Sequence, residues 1–282
     1  MNAVHTLRYE HATTTLCRVL RVNRSSYYKH FSRKECKREL ENKKIRTCIL
    51  QIYSDSKCRY GTAKMRKVLE MKYGISISSG RVYRLMKEMK LPKMSTVKPK
   101  FKAAKQSDSL PCPNLLKQKF NPKAPNMAWC SDITYIKVQN RFYYLCVIID
   151  LFSRMVIAYH ISNKIDYKLV LDTFEAALKI RNYPVGTLFH SDRGTQYTCL
   201  AFRKRLDEAS FVQSFSAKGH PYDNAVVESF FKFLKLEEVN RRTYHSLEEL
   251  DLSIFQYIHF YNFDRPHSSS NFLPPALFDS SL

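Results

Sequence analysis

The apolar positions of this 282-residue chain change their period near residue 126. Before that point they recur at the three-to-four spacing of amphipathic helices. After it they gather in β-branched and aromatic runs that alternate with helical stretches. In the first part, from about residue 12 to 91, Leu16, Val19 and Leu20 precede a break at Val22-Asn23, and SSYYKHF then opens a short helix with Ser25 as its cap. TAKMRKVLEM carries Met65, Val68 and Leu69 on one face, and Gly74 breaks the chain. SSGRVYRLMKEMKL follows with Val82, Leu85, Met86 and Met89, and Ser79 is placed to cap it. Helix, short glycine-containing turn and second helix predict a helix-turn-helix-like unit.

Beyond residue 126, MAWCSDITYIKV, FYYLCVIIDLF and MVIAYHI read as three strands joined by short connections, hence consecutive and antiparallel. YKLVLDTFEAALKI reads as a helix with Val170, Phe174, Ala177 and Leu178 on one face. VGTLFHSD is a strand, LAFRKRLDEA a helix, FVQSFS a strand, and AVVESFFKFLKLEEV a long helix entered through the loop AKGHPYDN. That order is ribonuclease-H-like. The expected class is α/β, a mixed five-stranded sheet flanked by helices, preceded by a small all-helical domain. The expected boundaries are a helical region at 1–91, a Lys- and Pro-rich linker at 92–125, and a core with a helical tail at 126–282.

Charge sharpens the division. Residues 1–125 hold 30 Lys and Arg against 8 Asp and Glu, whereas residues 126–282 hold 17 of each. The basic excess lies wholly in the first part, and its natural partner is a polyanion, DNA or RNA. Arg81, Arg84 and Lys87, on the second helix of the helix-turn-helix pattern, are candidate DNA contacts. No apolar run reaches the roughly 18 residues of a membrane span, and no apolar stretch follows a basic start, so a cytoplasmic protein is expected. Eight cysteines are scattered without a C-x-x-C pair, which excludes a zinc module and predicts ordinary thiols.

Three acids stand out by placement. Asp132 lies inside an apolar strand, where a lone carboxylate is costly unless paired or ligating a metal. Asp192 ends the fourth strand, and Glu228 lies on the last long helix with Lys232 and Lys235 on its face and Val227, Phe230, Phe231 and Leu234 beside it. Carboxylates gathered in this way suit Mg²⁺, and two ions can hold the attacking and leaving oxygens of an in-line phosphoryl transfer. Asp150 and Asp223 read instead as a salt-bridge or capping residue and a turn residue.

Thirty-five residues separate Asp192 from Glu228, and Lys235 falls seven positions after the glutamate. With WCSDITYI, HSDRGTQYT, KGHPYDNAVVESFFKFLKLE and YNFDRPHS, and with CRVLRVNRSSYY and YGTAKMRKVLEMKYGISISSGRVYRLMKEMKL upstream, the chain resembles the OrfB-type transposases of the insertion-sequence-three family. The resemblance implies a retroviral-integrase-like core that cleaves insertion-sequence ends and joins 3′-OH groups to DNA. It implies Mg²⁺, two ions, with Mn²⁺ able to substitute, held by Asp132, Asp192 and Glu228. It makes Lys235 a DNA contact, adds Lys218 and Lys232, and offers His190, Gln196 and Asn224 as groups touching DNA or the ligands, with Gly219 as a flexible point. The implied partners are double-stranded DNA (terminal inverted repeats and target), further copies of the chain on that DNA, and a protein or fusion from an upstream reading frame. The implied setting is the bacterial nucleoid, without membrane. Two departures are visible: Ser268 to Asn271 replace the family's usual Ser-Ala-Leu-Gly, and no heptad zipper is present. Two other readings stay open. One is a non-catalytic DNA-binding modulator, and the other is a structure-selective nuclease in which water attacks.

Overall fold

A computed structural model describes residues 1–31, 36–91, 113–217 and 221–281. The chain divides into two units, Met1–Leu91 and Pro92–Leu282. The first is all helical: α1 (Asn2–Leu7), α2 (Thr13–Val19), α3 (Arg24–Phe31), α4 (Lys37–Asp55), α5 (Thr62–Tyr73) and α6 (Ser79–Glu88). Leu16 is buried with Val4, Cys17 and Tyr27, while Val19 and Leu20 are 68% and 43% exposed and take no part in that core. The cap of α3 is Asn23, whose Oδ1 accepts from Ser26 N at 3.2 Å, two residues before the serine expected. The cap of α6 is Ser78, one before the serine expected, and it accepts from Arg81 N at 3.3 Å. A shorter side chain on an extended residue reaches back to the free N–H groups only from the position just outside the helix. Gly74 closes α5 at φ +64°, a left-handed cap that a residue with Cβ resists.

The longest helix of this unit, α4, escaped the sequence reading. Ile45, Ile49, Ile52 and Tyr53 form its buried stripe, and α4, α5 and α6 pack on one another. Met65, Val68 and Leu69 of α5 and Val82 and Leu85 of α6 are buried as expected.

In the second unit β1 (Ala128–Val138), β2 (Arg141–Asp150) and β3 (Val156–Ser162) form the antiparallel meander, followed by α7 (Tyr167–Ile180), β4 (Leu188–Ser191), α8 (Thr195–Thr198), α9 (Leu200–Glu208), β5 (Val212–Phe215), α10 (Ala225–Glu237), α11 (Leu247–Phe263) and α12 (Pro275–Asp279). The sheet order is β3-β2-β1-β4-β5, with β4 parallel to β1 and β5 parallel to β4. Alternation along β1 and β2 feeds two cores. Val227, Phe230 and Leu234 of α10 and Ile254 and Tyr257 of α11 cover one face, and Phe174 of α7 and Phe202 of α9 cover the other, against Trp129 and Phe189.

The described part of the expected linker is built into this unit. Leu116 is buried, and the N–H groups of Leu115 and Leu116 donate to Ser214 Oγ at 3.0 and 3.2 Å. Residues 92–112 lie outside the described residues. Among the described residues no helix is long and apolar enough to cross a membrane.

At the far end of α10, the YNFDRPHS segment has a structural task. Arg265 grips Glu237 with two hydrogen bonds, Nε to Oε2 at 2.9 Å and Nη2 to Oε1 at 2.7 Å, and Tyr257 donates to the same carboxylate. Both charged partners are almost wholly buried, at 2% and 1% exposure, so removing one strands the other in the core. Arg265→Met is expected to cost about 3–5 kcal/mol in denaturant unfolding, and Arg265→Met with Glu237→Leu to recover most of it.

Candidate functional site

The parallel pairing of β1 with β4 decides what meets at the site. Ala128, Trp129 and Cys130 pair with Leu188, Phe189 and His190, a constant offset of sixty residues. Carried two residues past the last pair, that register sets Asp132 beside Asp192, at the point where β4 ends and the chain turns away. Asp192 Oδ1 accepts from Gly194 N at 2.9 Å, folding the turn around the carboxylate. A Cβ on Gly194 would meet Asp192 Oδ1 and Gln196 Oε1 at 3.0 Å each, so a larger residue here would press on the Asp192 carboxylate. Asp132 Oδ1 accepts from the N–H of Ile133 at 2.8 Å.

The electrostatics agree with a cluster of acids. Burial, and after it the Asp192 carboxylate, pushes Asp132 up to about 8, with Glu228 adding to the rise and Lys235 opposing it. Burial also raises Asp192 and Glu228. Glu228 and Lys235 arrive on α10, whose apolar stripe is buried against the sheet. Burial lowers Lys235, and Asp132 works against that lowering. The Lys235 ammonium lies over the Tyr135 ring, 5.1 Å from its centre. Lys232, on the same helix, is exposed.

Behind Asp132 is a buried polar net that the sequence did not announce. Ser131 Oγ donates to Val147 O at 2.8 Å, and Tyr197 OH, 2.8 Å from that Oγ, then serves as its donor. Asn224 donates from Nδ2 to Ser131 O at 3.2 Å, while its buried Oδ1 has no partner among the described residues. His190 is buried and bridges the strands, with Nδ1 2.9 Å from Ser214 Oγ and Nε2 3.3 Å from Ser216 Oγ. Burial pushes it down to about 4, so it is neutral and acts as a strap between β4 and β5. Gln196 reaches Ile165 O at 3.5 Å. Lys218 and Gly219 lie outside the described residues.

The two acids set aside on sequence have structural partners. Asp150 accepts from Asn126 N and Phe152 N at 2.8 and 2.9 Å. Asp223 accepts from Asn114, Gln118 and Ala217 N, each at 2.8 Å, and so fastens the entry to α10. In the helical unit, Arg81 is committed to α4 through Glu41, at 2.9 and 3.2 Å, and Asn42, at 2.7 and 3.0 Å. Arg84 and Lys87 are the exposed members of the expected trio.

An all-carboxylate donor set suits a hard divalent cation. A cation would also return Asp132 from a raised pKa to its charged form. As the side chains stand, however, no group of three or more Asp, Glu, His or Cys among the described residues is arranged to hold an ion. Each aspartate has one oxygen engaged by a neighbouring backbone N–H, Asp132 by Ile133 and Asp192 by Gly194.

The sheet has the ribonuclease-H-like order, and the family described as integrase core domain matches residues 122–221 and, in a second form, 210–275. An HTH-like domain matches residues 39–100. The transposase for insertion sequence element IS904 of Lactococcus lactis is 37% identical over 88% of this chain and 96% of its own length. Transposase InsF for insertion sequence IS3A of Escherichia coli is 33% identical over 96% of this chain and 95% of its own. A solved HTLV-2 integrase catalytic core domain aligns at 20% identity and a TM-score of 0.42, over 52% of this chain and 92% of that one. The chain belongs to the IS3 family of transposases.

The raised Asp132 has a signed consequence. Between its unfolded value near 4 and its folded value of about 8, the folded state binds a proton that the unfolded state does not, so stability falls as pH rises through that window. Metal-free protein should melt at a lower temperature at pH 8 than at pH 5. Asp132→Asn should flatten that slope, and added Mg²⁺ should raise the melting temperature more at pH 8 than at pH 6, because binding releases the proton.

Proposed function

We infer that Asp132, Asp192 and Glu228 are the metal ligands of this transposase, and that the chain cleaves insertion-sequence ends and joins the freed 3′-OH groups to DNA. The observation that supports this reading best is the β1–β4 register, which sets Asp192 beside Asp132 with Glu228 and Lys235 in electrostatic reach. Asp132, Asp192 and Glu228 would hold two divalent ions, Mg²⁺ with Mn²⁺ able to substitute, and these would supply charge neutralisation at the attacking and leaving oxygens. The protein supplies position. Asp132 and Asp192 hold fixed points on adjacent strands, and Glu228 closes the site from α10. Lys235 and Lys232 receive phosphate oxygens along the same helix, and Asn224 holds the β1 backbone beside Asp132 through its hydrogen bond to Ser131 O.

Double-stranded DNA is the substrate, both the terminal inverted repeats and the target. Arg84 and Lys87 on α6 contact it, with Lys218 as a further contact. The 30-to-8 excess of basic residues before residue 126 supports that assignment. Several copies act together on the DNA, an upstream-frame protein or fusion adds terminal recognition, and the site of action is the nucleoid in the bacterial cytoplasm.

The test is joining of labelled terminal-repeat DNA to a target with Mg²⁺. Asp132→Asn, Asp192→Asn and Glu228→Gln should each lower joining by more than about 100-fold, while the fold, read by circular dichroism, is kept. Cleavage without joining by the wild type would make the chain a nuclease. DNA binding with neither reaction would make it a modulator.

A further inference from the structure

The two strands that carry Asp132 run on past the rest of the sheet. β4 pairs with β1 only as far as Cys130, and β3 pairs with β2 only from Tyr144 onward. Residues 135–143 therefore form a two-stranded ribbon beside the site. Its inner face is spent, because Ile136 and Val138 are buried in the core beneath α10 and α11. Gln139 at its turn donates to His245 O at 2.8 Å, which anchors the tip. Its outer face is uncovered. Tyr135 is 61% exposed and Phe142 51%, their ring centres 5.5 Å apart and their planes nearly perpendicular at 88°.

Two exposed rings on an anchored ribbon invite an explanation, and the charges supply one. Residues 133–149 contain no Asp or Glu, while Lys137 and Arg141 are exposed on the ribbon. The Lys235 ammonium lies over the Tyr135 ring at 5.1 Å and couples to Asp132, so one residue links the ring to the acids. An aromatic shelf flanked by Lys137, Arg141 and Lys235 complements a nucleobase and its phosphates. It complements a second copy of the charge-balanced core less well.

We propose that Tyr135 and Phe142 form a stacking shelf for an unpaired nucleotide of the DNA that enters the site. The DNA end frays, one base lies on the exposed aromatic surface, and the adjoining phosphate passes Lys235 toward Asp132. Stacking on a ring is tolerant of base identity, so the shelf selects for an opened end and not for a sequence. This inference rests on the reading of the carboxylates as a strand-transfer site.

The experiment uses the full chain and two probes of one sequence, a fully paired duplex and a duplex with a short unpaired 3′ tail carrying 2-aminopurine. Wild type should quench the 2-aminopurine and prefer the tailed probe. Tyr135→Ala and Phe142→Ala should each weaken binding to the tailed probe by about tenfold, abolish the quench and leave the paired duplex unaffected. Tyr135→Trp should retain both preference and quench. Equal losses on both probes would overturn the shelf, because they report a plain backbone contact. Unchanged binding together with dissociation of a wild-type oligomer in sedimentation would overturn it in favour of a contact between copies. A wild type that quenches but does not join DNA would refute the strand-transfer reading and leave the shelf standing. One that joins without quenching would refute only the shelf.

Discussion

Like charges brought together out of water are the constraint on which this molecule depends. A parallel strand pair with a fixed offset puts Asp132 next to Asp192, and α10 adds Glu228. Each carboxylate is partly withdrawn from solvent, and burial is the largest cause of the rise at every one of them. Such a cluster is unfavourable for folding alone and is tolerated at sites where a cation or a reaction requires it. The surroundings counter the strain locally: Gly194 N holds Asp192, Ile133 N holds Asp132, and Lys235 adds an opposite charge.

Stability for that arrangement comes from elsewhere in the same unit. Trp129, Phe174, Phe189 and Phe202 fill one face of the sheet, and α10 and α11 seal the other. Helix α10 is held at both ends. Asp223 ties its entry to Asn114 and Gln118, and the buried Arg265–Glu237 pair fixes its exit. The C-terminal segment thus acts on the site through the helix that carries Glu228, without touching the acids. Ser268 to Asn271, where the sequence departs from the family's habit, form a short 3-10 turn and a left-handed Asn271 beyond that clamp.

Much of the core was legible from sequence. The strand runs of β1 to β3 and the stripes of α7 and α10 were visible because each has a clean period and large side chains. Asp132 and Glu228 were conspicuous as acids among apolar neighbours. Other features depend on tertiary geometry. Helix α4 has a regular stripe at Ile45, Ile49, Ile52 and Tyr53, but the nearly all-polar stretch from Lys37 to Lys44 diluted it. The caps moved by one or two residues because neighbouring Ser and Asn side chains compete for the same N–H groups. Arg81 looked like a DNA contact by spacing, yet its guanidinium is committed to Glu41, forty residues away. The Asn224–Ser131 bond, the Ser131–Tyr197 bond and the ring under Lys235 leave no trace in one sequence, because each joins residues far apart in the chain.

The carboxylates at the β1–β4 junction are proposed to share a divalent cation. Anomalous scattering from crystals soaked in Mn²⁺ tests it directly. The expected result is a peak bounded by oxygens of Asp132 and Asp192 at about 2.1 Å. Mn²⁺ bound elsewhere, with no peak between those two carboxylates, would contradict it.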